Sequence, residues 1–194
     1  MSKLDFNSNA GPTLGVEIEL GLVDATTMAL KSVVPEVLKR VPPELKGFVK
    51  PELMQCCAEL NTDVCQTVAD VETDLRKKIE WVEGLGDELG LRLWWGGTHP
   101  FSLWRDQQVM PDERYLMLVE LLQDMARRLV TFGLHVHVGV DSGDKAVMIC
   151  DRIMQHLPTF LALSCSSPFW EDQLTGLKSH RSKIMEGLPT AGLP

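Results

Sequence analysis

The chain has 194 residues, 44% of them hydrophobic and 24% charged, which excludes disorder and predicts one globular domain with a real core. A net charge of −8 argues against a nucleic-acid surface, because the densest basic stretch, Arg76-Lys77-Lys78, falls inside an amphipathic helical pattern. No apolar run is long enough to span a bilayer and the first residues lack a signal-peptide core, so a cytoplasmic protein without a membrane partner is expected. Five cysteines, an odd number without a C-x-x-C pair, read as small apolar fillers in a reducing compartment.

Residues 13–24 read as the first strand, ended by Asp24 and the Thr26-Thr27 pair. Alternation along it places Glu17 and Glu19 on one face and Val16, Ile18 and Leu20 on the other. A short helix over Pro35–Arg40 follows, stopped by Pro42-Pro43. Residues 48–65 carry two strands or one bent strand. Thr67 and Asp70 form a capping box, after which Val68, Val71, Leu75, Ile79, Val82, Leu85 and Leu89 recur at helical spacing. Gly90 stops that helix.

Leu91–Thr98 reads as the next strand, running into Gly96-Gly97-Thr98-His99-Pro100; His99, at its end, is a candidate substrate contact. A helix is predicted over Glu113–Leu129 on the stripe Tyr115, Leu118, Val119, Leu122, Met125 and Leu129. Its Arg114, Arg127 and Arg128 read as solvated or salt-bridged. The strand 133–140 puts His135 and His137 on one face and Leu134, Val136 and Val138 on the other. A third helix begins near Ser142–Asp144, with Pro158 a kink or break. A loop around Ser166-Ser167-Pro168 and Gly176 precedes a helical stretch over 178–186. His156 and His180 read as surface residues.

Doubly wound parallel strands read as continuous apolar runs, whereas these alternate polar with apolar. The pattern therefore predicts an α+β fold: a mostly antiparallel sheet, helices on one face and an open polar face for substrate. Paired carboxylates and imidazoles on that face suit Mg2+ or Mn2+, and two adjacent like charges repel unless a cation lies between them. The competing reading is the solvated face of an edge strand. No glycine-rich phosphate loop appears, so a nucleotide would lie on the sheet itself.

Six segments, in order, resemble the carboxylate–amine ligases of the type 2 glutamate–cysteine ligase family. They are Gly15–Leu20 with Val23-Asp24; Pro51-Glu52-Leu53 with Gln55, Glu59, Asn61-Thr62 and Cys65; Gly97–Phe101; Gly133–Val140; Ser167–Trp170; and Thr175 through Arg181 to Leu188–Pro194. The resemblance runs from Thr13 to the last residue. It implies kinship with glutamine synthetases and guanidino kinases, whose curved antiparallel sheet holds ATP, divalent metals and an amino acid on its concave face. The implied reaction is ATP-dependent amide formation, in which a carboxylate becomes an acyl phosphate and an amine displaces phosphate.

By the same resemblance Glu17, Glu19, Glu59 and His135 are expected metal ligands, with Glu52 a weaker companion. His99, His137, Gln55 and Arg181 are expected on the substrate side, Gln55 as polar support. The implied cofactors are ATP with Mg2+ or Mn2+, and the implied partners are small amino-acid substrates; homo-oligomerisation stays open. Family members continue further, so residues 1–194 read as the N-terminal part of one ligase catalytic domain. Two alternatives stand beside the ligase: a non-catalytic metal-binding half-domain that pairs with another chain, and a kinase-like phosphotransferase.

Overall fold

One long strand, β1 (Thr13–Asp24), organises the fold. In the computed structural model, which describes residues 6–189, 191 and 192, every named strand pair is antiparallel. The helix α1 (Val34–Arg40) leads to two short strands, β2 (Val49–Pro51) and β3 (Cys57–Asn61). After the long helix α2 (Val68–Leu89) come β4 (Leu91–Trp94) and, further on, β5 (Leu134–Gly139). β1 pairs with β3 along one edge, and β2 lies outside β3. Its other edge is shared end to end: β5 covers residues 13–18 and β4 covers 21–24. The fold is α+β, as the alternating strands predict.

Leu20, Leu22, Ala58, Leu60 and Leu91 bury one sheet face against Val34 and Val37 of α1 and Val82 and Leu85 of α2. Each fully buried leucine or valine is worth about 1.5–3 kcal/mol. Both halves of the capping box at Thr67 and Asp70 form, and Gly90 takes the left-handed conformation (φ 65°) that ends α2. Gly21 of β1 is required for packing, since a Cβ there would lie 2.9 Å from Phe132 and 3.1 Å from Trp94. Among the described residues no helix is long and apolar enough to cross a membrane.

Several boundaries differ from expectation, each for a local reason. The 48–65 region is two strands joined through a turn, and the strand after α2 ends at Trp94 rather than Thr98. The stripe over 113–129 is split at Gln123 (φ 50°), giving α3 (Glu113–Leu122) and α4 (Asp124–Arg127). Pro158 does not break a helix but opens one: α5 (Gly143–Ile153) passes through a tight turn into α6 (Leu157–Leu163), where the missing proline N–H has no partner to lose. The expected loop contains a hairpin, β6 (Phe169–Trp170) and β7 (Gln173–Leu174), turned by Glu171 and Asp172 at positive φ. The final helix, α7, spans His180–Glu186.

Cys56, Cys57 and Cys65 are the buried fillers expected, but Cys150 and Cys165 are exposed. They lie on and just after the α5–α6 pair, which buries no residue at all. His180 is only partly exposed and packs on Trp170, with ring centroids 5.6 Å apart. Of the terminal segment 188–194, residues 190, 193 and 194 lie outside the described residues.

Candidate metal and substrate site

Strand register brings three carboxylates together. Glu19 of β1 stands directly opposite Glu59 of β3, and Lys50 of β2 flanks Glu59 with Nζ 3.7 Å from its carboxylate. Glu52 comes from the turn after β2, its Oε2 accepting a 2.8 Å hydrogen bond from the Leu53 N–H. Glu19, Glu52 and Glu59 each offer one oxygen within 4.8 Å of the others. Burial pushes the pKa of Glu19 upward against the Gly133 N–H, which donates to Glu19 Oε2 at 2.6 Å. Burial likewise raises that of Glu52, and neighbouring Glu59 adds to the rise. A compact, half-buried, all-oxygen donor set of net negative charge fits a hard divalent cation.

Glu17 shares this sheet face but belongs to a second cluster. His135 lies opposite it in register and His137 opposite Gly15. His135 Nδ1 is 3.1 Å from Glu17 Oε2, and His137 Nε2 is 3.4 Å from Glu17 Oε1. The His135 hydrogen bond is the main reason the Glu17 pKa falls below its usual value. Ionised Glu17 accepts the Nδ1–H of His135, which orients the ring. Across β1, Asn61 is buried opposite Glu17, and its Oδ1 has no hydrogen-bond partner among the described residues.

A cavity of about 600 Å³ adjoins both clusters. Glu19, Glu52 and His135 form its polar wall, Arg114, Tyr115, Met117 and Leu121 of α3 another, and Arg181 and Met185 of α7 a third. The polar face is therefore bordered by two helices rather than bare. Gly133 sits at the junction: a Cβ there would be 3.2 Å from Glu19 Oε2, His135 Nε2 and Arg181 Nη2 alike. A side chain at this position would push these groups apart by a few tenths of an ångström. A smaller cavity of about 290 Å³ lies on the other sheet face between α2 and β4, and no candidate site residue lines it.

Two expected substrate-side residues are placed elsewhere. His99 is 1% exposed; its Nδ1 accepts from the Ser102 N–H at 3.0 Å, so Nε2–H donates to the Met28 carbonyl at 2.9 Å. It ties two turns together in the interior instead of facing the cavity. The Gln55 amide donates to the Val109 carbonyl at 2.9 Å, joining the β2–β3 connection to the segment before α3. Arg114, read from the sequence as solvated or salt-bridged, lines the cavity beside Tyr115, read only as part of an apolar stripe; Arg114 Nη2 donates to Tyr115 Oη at 2.7 Å while Tyr115 Oη donates to the Pro51 carbonyl. Neither residue carries a local motif; only the position of Pro51 beside Glu52 brings them to the site.

The family model for glutamate-cysteine ligase family 2 matches residues 13–194. The protein named "Putative glutamate--cysteine ligase 2" from Gloeobacter violaceus is 43% identical over 98% of this chain and 52% of its own length. The protein of the same name from Thermobifida fusca is 43% identical over 98% of this chain and 49% of its own. A third, from Frankia casuarinae and named as a 2-1 form, is 40% identical over 99% and 51%. The chain thus spans about half the length of the curated relatives it matches.

Proposed function

The chain belongs to glutamate-cysteine ligase family 2, and from that premise we propose that it supplies the metal- and amino-acid-binding face of an ATP-dependent carboxylate–amine ligase, with glutamate and cysteine as the default substrates. The observation that carries this reading is the carboxylate triad on the polar sheet face. When bound, ATP and its divalent cation supply a phosphoryl group for a substrate carboxylate, so that an incoming amine expels phosphate rather than oxide and a proton is released. Mg2+ and Mn2+ both suit the oxygen donors.

The chain's own residues have distinct parts in this reading. Glu19, Glu52 and Glu59 hold the cation, and the Gly133 N–H fixes the Glu19 carboxylate in place. Glu17 orients His135 and supports His137, so that His135 Nε2 serves either as a further ligand or as acceptor for the amine proton. Arg181, on the cavity wall, attracts an anionic group of the amino-acid substrate. The cytoplasm, where ATP and thiol substrates are at hand, is the compartment this reading calls for.

The test is ADP release by this chain joined to the second half of the Thermobifida fusca relative. A ligase releases ADP only when an amino-acid carboxylate and an amine are both present. Release that ignores the amine would instead indicate kinase-like phosphotransfer. Metal binding without any ADP release would indicate a non-catalytic module.

A further inference from the structure

The cavity between α2 and β4 lies on the sheet face away from the carboxylates and has a polarity of its own. Its floor is aliphatic: Leu22 of β1, Val37 of α1, Val82 of α2 and Leu91 of β4 line it, and each is at most 2% exposed. Its mouth is charged, with Glu83, Asp87 and Arg92 lining it from exposed positions. Arg92 pairs with Asp87, whereas Glu83 enters no ion pair among the described residues, so a negative charge is left over at the opening. Glu83 and Asp87 stand one helical turn apart on α2, a like-charge spacing that weakens a helix unless a cation lies nearby. Gly86 lies between them and also lines the cavity. A Cβ there would lie 3.4 Å from the Leu91 carbonyl oxygen, an ordinary contact, so alanine would fit. Glycine within a helix costs about 1 kcal/mol relative to alanine, and no close approach requires it here. What it provides is space, because the absent methyl group is part of the cavity.

We infer that this cavity is a binding site for a small aliphatic amine, whose hydrocarbon body fills the apolar floor and whose ammonium group lies at the mouth beside Glu83 and Asp87. Its volume of about 290 Å³ exceeds the roughly 150 Å³ that accepts a benzene-sized guest, so a body of about seven carbons fits. Aliphatic walls do not hold water, which leaves the floor open to hydrocarbon. The surplus carboxylate at the rim then selects the charge of the head group: it attracts an ammonium, gains little from a hydroxyl and repels a carboxylate. The inference rests on neither the triad nor the ligase reading, because Leu22 and Glu19 project from opposite faces of β1 and the two cavities share no lining residue.

Titration of the chain with cyclohexylmethylamine at constant pH, followed through backbone amide chemical shifts, tests it. Shifts should centre on Val82, Gly86 and Leu91, with a dissociation constant on the order of a millimolar. Cyclohexylmethanol should bind about threefold more weakly than the amine, and cyclohexanecarboxylate more weakly still. Glu83→Gln, a change at an exposed position, should remove most of the preference for amine over alcohol. Gly86→Ala should raise the urea midpoint, as alanine in a helix does, yet weaken amine binding about fivefold or more by filling part of the cavity. Glu59→Gln should bind the amine as the native chain does, which separates this site from the triad. Shifts centred on the carboxylate triad, no shift at the cavity amides, equal affinity for amine and alcohol, or undiminished binding by Gly86→Ala would overturn the proposal.

Discussion

His99 shows how much one buried side chain can decide. Its neutral tautomer accepts from Ser102 and donates to Met28, and burial lowers its pKa below the usual 6.5. The unfolded chain therefore binds a proton as pH falls through the ordinary histidine range, before the folded chain does. Stability contributed by His99 is present above about pH 6.5 and is lost as pH falls from there toward the lowered folded value. Urea midpoints at pH 7.5 and 5.5 should differ more for the native chain than for His99→Gln. Gly133 is the second decisive residue. Gly133→Ala forces a methyl group among Glu19, His135 and Arg181, so it should cost about 1–3 kcal/mol in thermal denaturation and weaken cation binding at the triad. The histidine–glutamate face was legible in the sequence because strand alternation fixes it. The interior position of His99 was not, because its burial depends on Met28, 71 residues away in sequence, closing over the loop that follows β4.

At the scale of elements, the best-read segments are those with a local cause. The capping box and Gly90 bound α2 as written, and Thr67→Ala should cost about 1 kcal/mol, read as a shift in denaturation midpoint. Lys78 was read only as part of a basic run, yet it is buried, its Nζ 2.6 Å from Asp74 and 3.9 Å from the centre of the Phe48 ring. Lys78→Ala removes the buried amine and its packing on Phe48 and leaves the partly exposed Asp74 without its cation, so it should cost about 1–3 kcal/mol. The α3–α4 break escaped notice because an unbroken apolar stripe crosses it. Gln123 holds φ 50° there, a conformation glycine adopts freely, so Gln123→Gly should raise stability by up to about 1 kcal/mol despite the loss of its side-chain bonds to Glu120 and Arg127. A rise of that sign in chemical denaturation confirms strain; a fall shows that the side-chain bonds outweigh it.

Across the whole molecule, packing is uneven. β1 and β3 sit in the centre of the sheet under α1 and α2, whereas α5 and α6 pack on little beyond their connecting turn. Opening should therefore be graded: amides of α5 and α6 exchange fast and those of β1 and β3 slowest in the isolated chain. The same contrast explains what the sequence conveyed. An α+β fold with a polar sheet face followed from alternation alone. The grouping of Glu52 with Glu19 and Glu59, apart from Glu17, followed from a turn and a register that alternation does not set.

The central claim is that Glu19, Glu52 and Glu59 together hold a divalent cation, and manganese-dependent thermal melting tests it most directly. Bound metal stabilises the folded chain by mass action, so Mn2+ should raise the melting temperature of the native chain in a concentration-dependent way. Glu59→Gln should melt higher than the native chain without metal, because it relieves repulsion among the three carboxylates, and should lose the manganese-induced rise. Glu17→Gln, outside the triad, should keep most of that rise. An equal manganese shift in the native chain and in Glu59→Gln would contradict the account.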